Sequence, residues 1–292
     1  MSEVKKAVIP AAGLSSRFLP LTKVVCKQLL PVGDLPMIEH VVREVKDSDM
    51  DQVVFVLSEA QKIILDYFKR RPKLEHILES RGQKEILEKL QEHDQELESL
   101  AISSVQQISP RGDGDAILKA KNQVAKEPFA VLFSDDLFVA KVPATEQLKQ
   151  VYSTAQKSVI GLKKMPPEKV PAYGAVKVEK IASRLYKIKD IIEKPPIDKA
   201  PSDLVICGRY ILMPDVFSYL DGVTPNKKGE VILADALKAM LEDGKIIYGY
   251  DIEGEWLECG KTADWLKSNL LVCLEHPEYG PMLRDWVKKF KN

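Results

Sequence analysis

The sequence predicts an α/β protein in which a mixed, mostly parallel sheet lies between two layers of helices. Short apolar runs at residues 7–9, 53–57 and 129–133 are typical of buried strands. Segments with apolar residues at helical spacing follow the first two runs, which gives the strand–helix–strand–helix order of a parallel sheet covered by helices. From residue 173, three strand-like runs follow one another without an intervening helix. They predict a small antiparallel extension of the same sheet.

Individual elements are predicted from the period of the apolar residues and from the turn-forming residues between them. We predict strands at residues 7–9, 53–57, 101–108, 129–133, 158–162, 173–180, 183–194, 205–212 and 245–250. We predict helices at residues 36–45, 61–68, 116–124, 143–156, 230–241 and 262–290, the last with a break near His276 and Pro277. No repeat or long linker divides the chain, so we expect a single domain over residues 1–292.

Residues 74–100 are rich in charge and carry an intermittent apolar stripe. Gly82 is expected to divide them into two helices. Two interpretations are open, an amphipathic hairpin packed on the edge of the domain or a contact between subunits. The pattern favours the hairpin.

The composition argues against several classes of protein. Lysine plus arginine and aspartate plus glutamate each number 43, so the chain has no net charge, and we expect it to bind neither nucleic acid nor membranes. The four cysteines are scattered without C-x-x-C spacing, which argues against a zinc site or a disulfide framework. No stretch is apolar enough for a signal peptide or a membrane span. We expect a soluble, cytoplasmic protein.

Residues 10–31 combine a small backbone with a cluster of cations. Residues 10–13 (PAAG) are small enough for a ligand to approach the main chain. The polar groups that follow belong to Ser15, Ser16, Arg17, Lys23 and Lys27. Hydrogen-bond donors and countercharge are what a triphosphate requires. Neither G-x-x-x-x-G-K-[ST] nor G-x-G-x-x-G is present, which excludes a P-loop and a dinucleotide fingerprint. The alternative is an ordinary strand-to-helix turn whose charges are solvated.

A pair of carboxylates follows the apolar run at residues 129–133. Ser134, Asp135 and Asp136 come directly after it. Ligands of open parallel sheets lie beyond the carboxyl ends of the strands, so this pair is a candidate metal site. A capping turn before the next element is the alternative.

The loop at residues 10–31 resembles the signature of the sugar-nucleotide pyrophosphorylases, and most closely that of the bacterial UTP:glucose-1-phosphate uridylyltransferase group. The matching residues are Gly13, Ser16, Arg17, Pro20, Thr22, Lys23, Lys27, Leu30 and Pro31. Further matches follow in the family's order at Gln107 with Gly112 and Gly114, Asp135, Tyr173-Gly174, Glu193-Lys194-Pro195, residues 200–210, Gly229-Glu230 with Asp235, and residues 258–261. The loop departs from the signature at Ser15, Cys26 and Gln28, where the family has glycine, proline and glutamate.

The resemblance implies a Rossmann-like three-layer fold whose antiparallel extension lies on the sugar side. It further implies residues 1–135 as a mainly nucleotide-binding part, 136–260 as a mainly sugar-phosphate part and 261–292 as C-terminal helices. The implied reaction is attack of glucose-1-phosphate on the α-phosphorus of UTP, which gives UDP-glucose and pyrophosphate. A phosphate nucleophile is already largely dianionic at neutral pH, so no general base is required.

The resemblance also implies roles for individual residues. Arg17 and Lys27 are expected at the β- and γ-phosphates, Lys194 at the sugar phosphate, and Asp135 at Mg²⁺. The pyrimidine is expected against Ala11, Ala12 and Gly13, with Gly112 nearby and the Gln107 amide giving and taking one hydrogen bond each. Gly174 and Glu193 are expected at the sugar. The partners are UTP and glucose-1-phosphate, and a homo-oligomer is expected.

Two alternative functions remain. The first is the same chemistry with a different base or hexose, because Asp115 and Asp203 stand where the family has histidine and asparagine. The second is a catalytically silent relative that binds sugar nucleotides, because the loop departs from the signature at Ser15, Cys26 and Gln28.

Overall fold

The computed structural model describes residues 2–289 and has a nine-stranded sheet at its centre. The strands are β1 (Lys6–Pro10), β2 (Pro31–Val32), β3 (Leu35–Pro36), β4 (Gln52–Leu57), β5 (Ala101–Gln106), β6 (Phe129–Leu132), β7 (Asp136–Val139), β8 (Ser158–Lys164), β9 (Gly174–Lys180), β10 (Leu185–Glu193), β11 (Leu204–Leu212), β12 (Ile247–Asp251) and β13 (Glu255–Glu258). The helices are α1 (Met37–Asp47), α2 (Ile63–Tyr67), α3 (Pro72–Ser80), α4 (Lys84–Leu97), α5 (Asp113–Lys119), α6 (Lys121–Val124), α7 (Ala144–Ala155), α8 (Val216–Gly222), α9 (Leu233–Glu242), α10 (Thr262–Glu275) and α11 (Gly280–Lys288).

The large sheet has the strand order β5-β4-β1-β6-β11-β8-β12-β10-β9. Neighbours among β5, β4, β1 and β6 pair in parallel, so the loops after these strands leave the sheet at one edge. Strand β11 is antiparallel to both β6 and β8, and β10 is antiparallel to both β12 and β9. The predicted α/β fold with a mixed sheet is therefore confirmed.

Residues 205–212 are antiparallel to their neighbours, as predicted, and bridge to β9 of the extension, but their position in the sheet differs from the expected one. They lie in β11, which occupies the centre of the sheet between β6 and β8. Every residue of β11 is buried. A strand covered on both faces is apolar along most of its length, and β11 is apolar except at Gly208 and Arg209, which was the signal for a central position. Strand β11 joins the part of the sheet built from residues before 133 to the part built from residues after 157.

Helices cover both faces of the sheet. Alternate side chains of β1 point to opposite faces, so Ala7 and Ile9 pack with α1 and α7, whereas Val8 packs with α5, α8 and α9. This period of two divides the core into two apolar layers, and the predicted three-layer arrangement is confirmed.

Most predicted helices are present with shifted ends. Gly82, with a φ of 68°, separates α3 from α4 as predicted. Helix α5 begins earlier than predicted, at Asp113, and α9 begins later, at Leu233. Helix α8 and the pair of short strands β7 and β13 were not predicted. The predicted helix end at Phe290 lies outside the described residues. Between residues 2 and 289, no helix is long and apolar enough to cross a bilayer.

Candidate functional site

Two adjoining cavities lie where the loops after β1, β5 and β6 leave the sheet. Their volumes are about 450 and 240 Å³. The larger is lined by the predicted residues Ala11, Ala12, Gly13, Lys27, Gln107 and Gly112, and the smaller by Gly174, Glu193 and Lys194. Arg17 and Asp135 line both. The structure thus brings all the predicted site residues together.

A still larger cavity, of about 650 Å³, lies elsewhere, between α4, the end of α2 and the edge strand β5. It contains none of the predicted site residues. Four of its five charged side chains are already paired within the chain, as Arg70 is with Glu75 and His93 with Glu39. For this reason we place the chemistry in the two adjoining cavities.

Backbone contacts between parallel strands set the positions of the two nucleotide-side segments. The Ala11 N–H donates to the Val56 carbonyl at 2.9 Å, just beyond the end of β1. The Gln107 N–H donates to the Leu57 carbonyl at 2.8 Å, just beyond the end of β5. Each segment therefore leaves the sheet beside β4, and both reach the same cavity.

The loop at residues 10–31, called the opening loop below, has the backbone conformation that its sequence suggests. Ser15 has a φ of 53°, which is the left-handed conformation expected at the position where the family has glycine. The Thr22 hydroxyl donates to the Ser15 carbonyl at 3.0 Å and closes the loop. Cys26 has a φ of −64°, the value that proline would impose, so this substitution leaves the path of the chain unchanged.

Cys26 and Gln28, two of the three departures from the family signature, contact each other. The Cys26 thiol donates to Gln28 Oε1 at 2.9 Å, and Gln28 Nε2 donates to the Ala11 carbonyl at 3.2 Å. Gln28 is almost fully buried. An amide can accept and donate at once, whereas an ionised carboxylate only accepts. Gln28 therefore connects the turn that contains Cys26 and Lys27 to the end of β1, which an ionised glutamate could not do.

Lys27 and Asp135 form the central charge pair of the site. Lys27 Nζ lies 2.7 Å from Asp135 Oδ2. Burial raises the pKa of Asp135, but the charge and hydrogen bond of Lys27 lower it more, so the pKa lies below its ordinary value. The Asp135 carbonyl accepts from the Cys259 N–H at 2.7 Å, which fixes the backbone behind the carboxylate. Arg17 lies at the boundary of the two cavities and is exposed.

Asp136 has a different environment from Asp135. Its Oδ1 accepts from Trp256 Nε1 at 2.8 Å, and burial together with the Asp135 charge raises its pKa to about 7. Within residues 2–289, no group of three or more His, Cys, Asp or Glu side chains could hold a metal ion by itself. Mg²⁺ is commonly held by one or two carboxylates together with substrate phosphates and water. Asp135, which lines both cavities, fits that kind of site.

The sugar-side residues lie on paired strands. Gly174 of β9 is directly opposite Glu193 of β10, and the bridge between Ala175 and Val205 brings both strands to β11. A Cβ at Gly174 would lie 3.1 Å from Glu193 Oε2, so the glycine leaves room for this carboxylate. Lys194 forms an ion pair with Glu193 and remains more than half exposed.

The Gln107 amide has fewer unused hydrogen-bonding groups than predicted. Its Nε2 donates to the Gly112 carbonyl at 3.2 Å and to Asp115 Oδ2 at 2.7 Å. Both amide hydrogens are therefore used within the chain, and the expectation that the amide both gives and takes at the base is not met in this structure. Only glycine fits at position 112, because Gly112 has a φ of 96° and a Cβ there would lie 2.3 Å from the Val231 carbonyl oxygen.

Asp113 and Arg209 are site residues that the sequence analysis missed. Asp113 lines both cavities, and its Oδ1 accepts from the N–H groups of Gly114 and Leu233 at 2.7 and 3.0 Å. Burial raises its pKa to about 6. Its place among the acidic residues at a helix N-terminus was the available signal. Arg209 is fully buried under the loop that carries Asp135 and is paired with Glu44.

Comparisons with known proteins show to which family the chain is related. The family model described as "Nucleotidyl transferase" matches residues 6–273. The chain is 35% identical to the UTP–glucose-1-phosphate uridylyltransferase of Bacillus subtilis (strain 168), over 99% of this chain and 97% of the relative. It is similar to the UDP-glucose pyrophosphorylase of Acinetobacter baumannii, with a TM-score of 0.89 and 32% identity over 98% of this chain and 99% of that one. A UTP-bound structure from the same organism has a TM-score of 0.88 and 33% identity, over 97% of this chain and 98% of that one.

Proposed function

Because the chain belongs to the nucleotidyl transferase family, in the group of the UTP–glucose-1-phosphate uridylyltransferases, we propose that it makes UDP-glucose and pyrophosphate from UTP and glucose-1-phosphate. The observation that carries the proposal is the junction of the two cavities. Residues from the opening loop, from the end of β5 and from the end of β6 line one cavity, and residues of β9 and β10 line the other. Arg17 and Asp135 belong to both, so the reaction centre is assigned to their position.

We assign the larger cavity to the nucleotide, so that the pyrimidine lies against Ala11, Ala12 and Gly13 and beside Gln107. The smaller cavity takes the glucose-1-phosphate, with Glu193 accepting hydrogen bonds from sugar hydroxyls and Lys194 facing the sugar phosphate. This assignment corresponds to residues 1–135 as the nucleotide part and 136–260 as the sugar-phosphate part.

In the proposed reaction, a phosphate oxygen of the sugar phosphate forms a bond to the α-phosphorus, and the bond from that phosphorus to pyrophosphate breaks. The chain has to align two polyanions that repel each other and to neutralise the leaving group. Arg17 and Lys27 supply the cations for that purpose, and Lys27 is already held in place by Asp135. Asp135 would hold Mg²⁺, whose charge would offset the negative charge that develops on the leaving pyrophosphate.

We also propose a homo-oligomer, for which the family resemblance is the main support. Exposed apolar side chains on α3 and α4, those of Leu74, Ile77 and Ile86, are compatible with the subunit-contact interpretation of residues 74–100. Light scattering of the purified protein tests it, and a monomer at all concentrations would contradict it.

The activity is tested with purified protein, Mg²⁺ and a panel of nucleoside triphosphates and hexose-1-phosphates, with pyrophosphate release as the measurement. The proposal expects the highest kcat/KM for UTP with glucose-1-phosphate. A higher value for another pair would replace the substrate assignment. The proposal of an enzyme would be abandoned if no pair released pyrophosphate while UDP-glucose still bound.

A further inference from the structure

The structure assigns to Asp115 the role of a positioning residue for base selection, a role that rests on the proposed function of the larger cavity. We propose that Asp115 fixes the orientation of the Gln107 amide, so that Gln107 Oε1 faces the cleft and accepts a hydrogen bond from the base. The site would then select a pyrimidine that carries a hydrogen on N3, as uracil and thymine do, and would discriminate against cytosine, whose N3 carries a lone pair.

The orientation of the Gln107 amide follows from its two partners. The Gly112 carbonyl can only accept, and it lies 3.2 Å from one end of the amide. Asp115 Oδ2 lies 2.7 Å from the same end. Two acceptors at one end require the NH₂ group there, and a flipped amide would place its oxygen against a carboxylate at that short distance. The network therefore holds the amide in one orientation.

Asp115 is placed so that it must be an acceptor for Gln107. It is buried and, unlike Gln107, lines neither cavity, so it does not reach the ligand itself. Its other oxygen, Oδ1, faces two cations, Arg111 and Lys119, each at 3.4 Å. These cations offset the cost of burying a carboxylate and leave Oδ2 for Gln107.

The oxygen of Gln107 has only a small contact with the larger cavity, because Gln107 lines that cavity but is 2% exposed. Among residues 2–289, the buried side-chain nitrogen and oxygen atoms without a partner are Ser48 Oγ and Asp215 Oδ1. Gln107 Oε1 is not one of them, although no donor within that part of the chain is bonded to it. The atom is therefore in contact with solvent, and the solvent that Gln107 meets is that of the larger cavity. Because Nε2 of Gln107 is occupied by its two partners, the group left for the base is Oε1. Oε1 would accept a hydrogen bond from a donor on the base.

The test measures the preference for UTP over CTP in two ways, as a ratio of kcat/KM and as a ratio of binding constants from calorimetry. The variants Asp115→Ala and Asp115→Leu remove the acceptor and allow the Gln107 amide to flip. We expect each to reduce the UTP/CTP ratio by about tenfold or more, because an acceptor facing an acceptor costs roughly as much as an unpaired polar group. The matched control Asp115→Asn keeps an acceptor oxygen and is expected to stay within about threefold of the wild-type ratio.

A merely structural role would lower activity with both nucleotides and leave the ratio unchanged, and that result would overturn the inference. Gln107→Ala provides a second check, since Asp115→Ala should change the ratio no further in that background. If both apolar variants fail to fold, a crystal structure of the wild-type UTP complex decides, because Gln107 Oε1 beyond hydrogen-bond distance of the base N3 would also overturn it. The binding constants for UTP and CTP separate a failure of the proposed activity from a failure of the proposed role of Asp115. A protein that prefers UTP over CTP in binding but never releases pyrophosphate would contradict the proposed function and support this inference.

Discussion

Lys27 Nζ lies 2.7 Å from Asp135 Oδ2, although 108 residues separate them in the chain. The exposed fractions of the two side chains are 11% and 30%, so the pair lies within the wall of the cleft and not on its rim. A cation that is already held in place loses little conformational freedom when a polyanion arrives. The pair therefore places a fixed positive charge and a proposed metal ligand at the same point of the site.

The first prediction concerns that cation. Lys27→Met keeps the length of the side chain and removes its charge. We expect kcat/KM for UDP-glucose formation to fall by about 100-fold, a typical loss when a fixed group that stabilises developing charge is removed. Lys23→Met is the matched control, because Lys23 belongs to the same loop but lines neither cavity. Similar losses in both variants would show that the loop acts through its total charge.

The second prediction concerns the metal. Asp135→Asn keeps the shape of the side chain and removes its charge, so we expect turnover to fall by about 100-fold and the Mg²⁺ concentration for half-maximal rate to rise. Asp136→Asn is the control, since Asp136 accepts from Trp256 and has a different environment. We expect its Mg²⁺ requirement to stay near that of the wild type. Turnover near the wild-type level in Asp135→Asn would remove the metal assignment.

The third prediction concerns Arg209, which supports the loop that carries Asp135. The guanidinium donates to Glu44 through Nε at 2.9 Å and through Nη2 at 2.8 Å, and it also donates to the Phe133, Gly208 and Asp136 carbonyls. Arg209→Leu leaves Glu44, whose side chain is only 10% exposed, without this countercharge. We expect the free energy of unfolding, measured with urea, to fall by about 3–5 kcal/mol.

The control for Arg209 is an exposed ion pair. Lys245 Nζ lies 2.8 Å from Asp215, and both side chains are at least 40% exposed. Lys245→Met is expected to change the free energy of unfolding by less than about 1 kcal/mol. The double variant Glu44→Leu/Arg209→Leu should lose less than the sum of the two single losses, because it leaves no charge unpaired. Additive losses would mean that the pair itself contributes little.

Most of the fold could be predicted from the period of apolar residues, because strands and helices bury their apolar faces in characteristic ways. The order of strands within the sheet could not, because sequence neighbours need not be neighbours in space. Strand β11 shows the difference, since it follows the extension in the chain but lies at the centre of the sheet. Helix α8 was missed because seven residues, among them Val216, Phe217 and Leu220, give too short a pattern.

The candidate site could be located from the resemblance, but its internal contacts could not. The bond between Gln107 and Asp115 depends on side-chain orientation across a turn, and the pair of Lys27 and Asp135 depends on tertiary structure. Neither leaves a local pattern in the sequence. The structure also shows why the loop accepts Cys26, since its φ is the value that proline would have.

The fourth prediction concerns pH and Asp113. Burial raises the pKa of Asp113 to about 6, above its ordinary value of 3.8, although the N–H groups of Leu233 and Gly114 lower it. The unfolded chain therefore binds fewer protons between pH 4 and 6, so this group's contribution to stability is lost as the pH rises through that window. Asp113→Asn can keep both backbone contacts through Oδ1 and does not ionise. We expect the variant to gain stability relative to the wild type between pH 4 and 7, by at most about 3 kcal/mol.

Urea unfolding at several pH values measures that difference. The decisive quantity is the change of the difference with pH, because a lost hydrogen bond would lower the stability of the variant equally at every pH. A difference that is constant from pH 4 to 7 would contradict the raised pKa.

The fifth prediction concerns Ser15, whose φ of 53° is the conformation that glycine adopts without strain. Ser15→Gly relieves roughly 1 kcal/mol of backbone strain and increases the entropy of the unfolded chain, two effects that largely cancel in stability. We expect kcat/KM for UDP-glucose formation to be equal to or higher than that of the wild type. The Ser15 hydroxyl is exposed and reaches only the Gly13 carbonyl at 3.4 Å, so its loss should matter little.

Ser15→Ala separates the hydroxyl from the backbone, because alanine removes Oγ and keeps the Cβ that makes this conformation unfavourable. If the loop works as argued, Ser15→Ala retains wild-type turnover and Ser15→Gly matches or exceeds it. Equal losses in both variants would instead assign the Ser15 hydroxyl to a phosphate. A loss confined to Ser15→Gly would mean that a rigid left-handed residue is needed at this point to hold Arg17 and Lys27 around the triphosphate.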